Sequence, residues 1–269
     1  MKIGLFINES SFLSKETCLK FKEILIKNDT DFIDVDLCCE EKCDFLVVFG
    51  GDGTVVKCMP YAVRYDVPTV VINTGTFGFL SDFSPEQLND VFNELNSNPS
   101  YTEKTLINVE HNGENKLCLN DVVIQRKPKN ELVSEVIKLK ISLNDEIIDN
   151  FFADGVIIST PTGSTAYSLS AGGAILTPNV NAFIITPVCS HSFLSRPIVY
   201  DDNSVLKIKS TDMERSAVVY GDGRYFSDVY ESEIVISKSD KKFKLIKFKK
   251  EFFYKLSRKF NRVISDEKG

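Results

Sequence analysis

Apolar residues in the first hundred positions fall into short runs: Lys2–Ile7, Phe32–Leu37, Phe45–Phe49 and Thr69–Ile72. Runs of this length, rich in Val, Ile and Phe, read as buried strands. Between the first two, Leu19, Ile24, Leu25 and Ile26 follow a helical pattern, with Ser14 as its expected cap. Ser84-Pro85-Glu86 opens a further helix that carries Leu88, Val91, Phe92 and Leu95 on one face, since serine ahead of a first-turn proline is a strong start signal. Strands alternating with helices predict a parallel sheet covered by helices.

The pattern changes at Ser97-Asn98-Pro99-Ser100. Beyond it, Leu117–Gln125, Val133–Leu143, Ile147–Phe152 and Val156–Ser159 are rich in β-branched residues, and short turns such as Leu143-Asn144-Asp145-Glu146 separate them. This predicts a β-rich domain of short strands running to about Ser239. Glu251–Ile264 turns helical again. The expected organisation is therefore an α/β domain at 1–100, a β-rich domain at 101–240, and a helix within 241–269 that packs back on the first domain.

Composition narrows the function classes. The chain has 269 residues, 43% hydrophobic, with a net charge of −6 and a pI near 5.2. No basic stripe dominates its body, which argues against nucleic acid as a partner. Lys238–Lys250 is rich in lysine and runs into Phe252-Phe253-Tyr254-Lys255-Leu256, read as a solvated strand edge leading to a packed helix rather than a membrane anchor. The apolar start Met1–Ile7 is stopped by Asn8, Glu9 and Ser10 before a signal-peptide core can form, and no apolar run is long enough to span a bilayer. The expected location is cytoplasmic. Seven cysteines (Cys18, Cys38, Cys39, Cys43, Cys58, Cys118, Cys189) match no disulfide framework, and Cys38, Cys39 and Cys43 have no histidine near them, so reduced thiols are expected rather than a metal site.

Four stretches carry candidate chemistry. Phe49-Gly50-Gly51-Asp52-Gly53-Thr54 follows an apolar strand and precedes a helix-competent segment. Glycines at such a turn let unpaired N–H groups approach an anion, which the helix dipole also favours. Asp52 conflicts with that: a carboxylate there needs a cation, or a proton to take from a reacting hydroxyl, and both roles point to phosphoryl transfer. The chain contains neither G-x-x-x-x-G-K-[ST] nor G-x-G-x-x-G, which excludes a P-loop and an ordinary dinucleotide fingerprint. Ile72–Leu80 carries two glycines and Phe79, suited to stacking on a base or walling a pocket, although a plain loop with core phenylalanines explains it too. Asn120-Asp121 interrupts an apolar strand with groups that suit ribose or base edges, although a strand-end turn is the simpler explanation. Asp154-Gly155 and Thr160–Gly173 supply small hydroxyls, backbone N–H groups and the flat face of Tyr167, an inventory that fits a nucleotide. With no G-x-S-x-G elbow and only His111 and His191 in the chain, a serine nucleophile is disfavoured.

Taken together, Gly50–Thr54, Asn120-Asp121, Asp154-Gly155, Pro161–Ser168, Thr186–Ser192, Ser195–Ile198 and Gly221-Asp222-Gly223 resemble, in order, the pattern of the NAD kinase family. The Gly50–Thr54 loop is shared with lipid kinases of the diacylglycerol type; Pro161–Ser170 is the more specific stretch. The resemblance implies an α/β N-terminal domain, a β-rich C-terminal domain and an active site between them. It implies transfer of the γ-phosphoryl of ATP, or of polyphosphate, to the 2′-hydroxyl of the adenosine ribose of NAD, with Mg²⁺ or another divalent cation accompanying ATP and no metal held by a dedicated protein site. It casts Asp52 as general base, Gly53 as a backbone contact and Lys57 as a cation near phosphate. Asn120 and Asp121 would hold ribose or base groups, and Asp154, Thr165, Ala166, Tyr167, Ser168 and Ser170 would line the NAD pocket, joined by Phe79, Cys189 and Arg224. Family members form homodimers or homotetramers. The chain departs from the pattern in having Asp121 where Glu is usual, Phe152 where a polar residue is common, and Arg224 where Gln is common. Two other readings are a lipid kinase sharing the glycine turn and a non-catalytic NAD sensor; the first lacks an apolar slot, and the second would not need Asp52.

Overall fold

The computed structural model describes the chain except residues 77, 128–135, 191–195, 212–216, 231, 247–251 and 267–269, and the side chains at 151 and 261–266. Two compact units are present, one of Met1–Lys104 with Phe243–Gly269 and one of Thr105–Lys242.

The first unit is built on four parallel strands. In chain order they are β1 (Lys2–Ile7), β2 (Asp31–Asp34), β3 (Phe45–Gly50) and β4 (Thr69–Asn73), arranged β2-β1-β3-β4. Every residue of β3 from Leu46 to Phe49 is fully buried. Its unbroken apolar run is what a central strand with both faces covered demands. The covering helices are α1 (Phe12–Lys27), α2 (Asp52–Tyr65) and α3 (Leu88–Asn96), the last preceded by a short 3₁₀ turn with a Ser84–Gln87 capping box.

Helix α1 differs from its expected form in two respects. Its cap is Ser11, whose side chain accepts from the Ser14 N–H, and Ser14 lies inside the helix, bonded to the Thr74 hydroxyl at 2.6 Å. Its buried face is Ser14, Thr17, Cys18, Phe21 and Leu25, which leaves Leu19 and Ile26 exposed. Two small hydroxyls on the core face hid the true stripe from a reading based on aliphatic residues alone.

The second unit is antiparallel. Its strands are β5 (Tyr101–His111), β6 (Glu114–Cys118), β7 (Asp121–Arg126), β8 (Ile137–Leu143), β9 (Glu146–Ala153), β10 (Gly155–Ser159), β11 (Ala182–Val188), β12 (Ile198–Asp201), β13 (Leu206–Ser210), β14 (Ala217–Gly221), β15 (Arg224–Val229) and β16 (Glu233–Ile246), with the short helix α4 (Tyr167–Ser170) after β10. One sheet runs β12-β11-β10-β7-β14-β15. Its inward residues alternate strictly: Val122 and Ile124, Val156 and Ile158, Phe183 and Ile185, Ala217 and Val219. They pack against the matching alternation of Leu139 and Ile141, Leu206 and Ile208, and Ile234 and Ile236 on β8, β13 and β16. Asn144 and Asp145, both at positive φ, close the β8–β9 hairpin in the mirror-image turn that the right-handed strand twist prefers.

The run expected over Leu117–Gln125 is two strands, broken at Leu119-Asn120, and residues 133–135 of the run expected from Val133 lie outside the described residues. The lysine-rich tail strand is not a solvated edge. β16 pairs with β13 along its first half; its last residues, from Phe243, belong to the first unit, where Leu245 pairs with Thr69 of β4. The last described element is α5 (Phe252–Asp266). All seven cysteines are unpaired thiols, four of them buried.

His111, at the end of β5, is almost fully buried, with Nδ1 at 2.7 Å from the Ser227 hydroxyl and Nε2 at 2.6 Å from that of Ser232. Burial lowers its pKa. The unfolded chain then binds the extra proton more readily, so stability is held above about pH 6.5 and is lost as pH falls below it towards the folded value. Urea denaturation should show a drop in midpoint on acidification through this window, and His111→Gln should flatten that part of the drop.

Candidate active site

In the first unit, the strand–turn–helix at Gly50–Thr54 is set by local sterics. Gly50 is required because a Cβ there would lie 2.2 Å from the Thr54 hydroxyl oxygen. Gly51 and Gly53 are different: a Cβ at either would meet no protein atom within 4 Å, and neither adopts a positive φ. Their bare backbone borders open space at the N-terminus of a fourteen-residue helix, where N–H groups and the macrodipole favour an anion.

Asp52 is the first residue of α2 and is partly buried. Its Oδ2 accepts from the Phe79 N–H at 2.8 Å and its Oδ1 from the Leu80 N–H at 3.0 Å. A carboxylate has about four lone-pair directions, so two bonds fix the group while leaving acceptor capacity. Gly78 makes this approach feasible, because a Cβ there would lie 2.2 Å from Asp52 Oδ1.

The loop that supplies the two N–H groups is pinned from α5. The Lys255 Nζ donates to the Phe79 carbonyl at 2.9 Å and forms an ion pair with Asp82, both residues being almost fully buried. The Phe79 ring packs on Phe252 at 5.9 Å between centroids, and the Lys259 Nζ sits 4.7 Å above it. In this structure the part of Phe79 that touches another site residue is thus its backbone, and its ring serves the packing of α5. Gly53 and Lys57 are exposed on α2.

In the second unit, a pocket of about 380 Å³ is lined by Asn120, Asp121, Val123, Gln125, Ala166, Tyr167, Tyr220, Asp222 and Gly223. The polar group of Asn120 both donates and accepts, and two tyrosines offer flat faces, which together suit a nucleoside. The Asp121 carboxyl is pushed up to about 7, first by burial and then by the charge of Asp222. Burial also raises Asp222, against the opposing pull of backbone N–H donors from Leu119, Asn120 and Asp121 and of Lys116. Of the two, Asp222 is the better supported anion, and Asp121 the one whose proton is held up toward neutrality.

The remaining expected site residues divide. Ala166 and Tyr167 line the pocket; Thr165, Ser168 and Ser170 are not among its lining residues. The buried Ser168 hydroxyl is bonded to Thr186 at 2.8 Å, and that of Thr165 donates to the Thr162 carbonyl at 3.2 Å. Gly163 lets this segment cross the Asn120 carbonyl, which a Cβ would approach to 2.0 Å. Asp154 pairs with the Arg126 Nε at 3.2 Å. Cys189 is exposed at positive φ just after β11, and Arg224 begins β15. His191 lies outside the described residues. Sequence reasoning did not place Tyr220, Gln125 or Asp222 in the pocket. The signal for Asp222 was present in its Asp-Gly dipeptide, which marks a tight turn that returns a strand to its neighbour.

A family model described as the ATP-NAD kinase N-terminal domain matches residues 6–101, and one described as the ATP-NAD kinase C-terminal domain matches residues 119–248. An NAD kinase of Methanothermobacter thermautotrophicus is 35% identical over 219 residues, covering 80% of this chain and 76% of that protein. An NAD kinase of Flavobacterium johnsoniae is 33% identical over 258 residues, covering 93% of this chain and 85% of that protein. Among solved structures, yeast NADH kinase complexed with NADH superposes with a TM-score of 0.84 at 23% identity, covering 98% of this chain and 87% of that one.

The raised Asp121 has a stability consequence. Its folded pKa of about 7 lies above the unfolded value of about 3.9, so its contribution is intact below about pH 4 and is lost as pH rises to about 7. Asp121→Asn should therefore stabilise the ligand-free protein by roughly 2–4 kcal/mol at pH 8, several degrees in Tm, and by little at pH 4. Paired thermal melts at the two pH values check this.

Proposed function

This chain belongs to the NAD kinase family and is an NAD kinase, and from that premise we propose how its own residues carry out the transfer. The acceptor atom is the 2′-hydroxyl of the adenosine ribose of NAD, the donor is ATP, and the product is NADP. Inorganic polyphosphate is the alternative donor.

A ribose hydroxyl is a poor nucleophile near neutral pH, and phosphoryl transfer leaves a protein little to do beyond alignment, charge stabilisation and removal of one proton. Asp52 removes that proton. The observation that carries this role is the pair of N–H bonds from Phe79 and Leu80, which hold an anionic acceptor fixed at a helix N-terminus bordered by two bare glycines. Gly51 and Gly53 leave room for phosphate or sugar against the backbone. Lys57, exposed on α2, and Arg224, at the start of β15, supply positive charge toward phosphates.

Asn120 and Asp121 hydrogen-bond ribose or base groups of NAD, with Ala166 and Tyr167 walling the same pocket. Thr165 and Ser168 shape its edge through their internal bonds. Asp154, Ser170, Phe79 and Cys189 belong to the periphery of the same reading. A divalent cation, Mg²⁺ by preference, suits this arrangement, because Mg²⁺ is commonly bound through one or two carboxylates plus substrate phosphates, and Asp52 retains acceptor capacity. When bound, the cation neutralises charge on the donor phosphates.

Within the same proposal the enzyme works in the cytoplasm as a homodimer or homotetramer; among the described residues no helix is long and apolar enough to cross a membrane.

Two variants test the chemistry. Asp52→Asn should keep NAD binding and form NADP at least about a hundredfold more slowly. Unchanged turnover would remove Asp52 from the base role. Gly53→Ala places its methyl in space free of protein atoms and improves helix propensity, so it should raise stability by up to about 1 kcal/mol while slowing transfer tenfold or more, about 1.4 kcal/mol of barrier. Initial rates with ATP and polyphosphate, beside thermal melts, separate the two effects.

A further inference from the structure

The turn between β14 and β15 grips the edge of the pocket with unusual completeness. Asp222 Oδ2 accepts from the Leu119 N–H at 2.7 Å, and Oδ1 accepts from the N–H groups of Asn120 at 2.7 Å and Asp121 at 3.2 Å. The Asp222 N–H donates back to the Asp121 carbonyl at 2.9 Å. Asp222 sits at φ 51°, a left-handed turn conformation that Asp tolerates better than most residues. It lies about a hundred residues along the chain from the segment that it holds, and it lines the same pocket as Asn120 and Asp121. Three successive N–H groups converging on one carboxylate form a concave anion-binding backbone, filled here by a side chain of the protein itself.

We propose that Asp222 is a positioning residue for recognition of the dinucleotide: its carboxylate fixes the β6–β7 break and so sets how Asn120 and Asp121 are presented to the ribose and base. This rests on the reading of the pocket as the NAD site. The grip has an electrostatic side as well. Asp222 is the negative neighbour of Asp121, and it is braced by Lys116 on β6, whose Nζ donates to the Arg224 carbonyl at 3.1 Å. The other titratable groups around the pair are Cys118 on β6, buried with its thiol pushed up, and Arg224 and Tyr220 on the two strands of the hairpin. Lys116 favours the Asp222 anion, against the burial that raises it, and Asp222 acts with burial to keep a proton on Asp121. As pH rises, Asp121 ionises and accepts charge-assisted hydrogen bonds from hydroxyls, so NAD should bind more tightly.

The test uses the full chain and NAD, at saturating donor, from about pH 5 to about pH 9. In the wild type, KM for NAD should fall as pH rises through about 7, and in Asp121→Asn this change should vanish. Asp222→Asn turns one acceptor oxygen into an NH₂ group facing a backbone donor. It should raise KM for NAD tenfold or more with kcat changed less than about threefold, and move the midpoint down by about one unit or more. Asp222→Glu keeps the charge but misplaces it, so KM should rise while the midpoint stays near that of the wild type. The proposal is overturned if Asp222→Asn, folded by thermal melt, leaves KM and midpoint unchanged. If the wild-type KM does not change across this range, as an ordinary carboxylate ionised throughout it would give, the electrostatic part of the proposal is overturned, a result that needs no folded Asp222 variant. If Tyr167→Ala and Asp121→Asn both leave KM for NAD untouched, the pocket reading itself fails; if they raise it and Asp222 is silent, only the positioning role fails.

Discussion

Two backbone N–H groups, those of Phe79 and Leu80, hold the carboxylate of Asp52, and the first unit is arranged around that contact. A helix N-terminus beside bare glycines attracts anions. Placing a carboxylate there uses the attraction to fix a base rather than a ligand. The contact needs Gly78 without a side chain, a loop returning from β4, and a helix from the far end of the chain whose buried Lys255 holds the Phe79 carbonyl and Asp82. The group at the turn is therefore positioned by residues up to about two hundred positions away, none of which contributes chemistry of its own.

The second unit shows the complementary constraint. Asp121 is buried beside another carboxylate, an arrangement that works against folding at neutral pH. The strictly alternating β core carries that load: Val122 and Ile124, which follow Asp121 directly on β7, are fully buried in a continuous apolar cluster. Rigid strands thus present a polar edge with two neighbouring carboxyl groups that a soft loop would not hold. Stability given up at Asp121 is consistent with a site selected for recognition rather than for packing.

Much of this was legible in the order of residues. The parallel strands were readable because both faces of β3 are covered, which leaves no polar position in Leu46–Phe49. The glycine turn with Asp52 was readable because its composition conflicts with its electrostatics. The hydroxyl-rich segment around Tyr167 was readable as a nucleotide wall, yet most of its hydroxyls are spent internally: Ser168 on Thr186, and Ser164 on the Pro161 carbonyl. Partners of this kind lie on other strands, and no local pattern announces them. Phe79 illustrates the same limit, since its ring suggested stacking while its N–H is the group that meets Asp52. On α1 the core face runs through Ser14 and Thr17, so polarity misdirected both the cap and the stripe. Asp222 went unplaced because its role depends on a register between β14 and β7 that only the folded sheet defines.

The most direct test of the central claim is a crystal structure with NAD and a non-hydrolysable ATP analogue, read for the distance from the Asp52 carboxylate to the 2′-oxygen of the adenosine ribose. A separation of about 2.6–3.2 Å, with the Phe79 and Leu80 bonds intact, is the expected result. NAD bound with that oxygen well beyond the reach of Asp52 and of any single bridging water would contradict it.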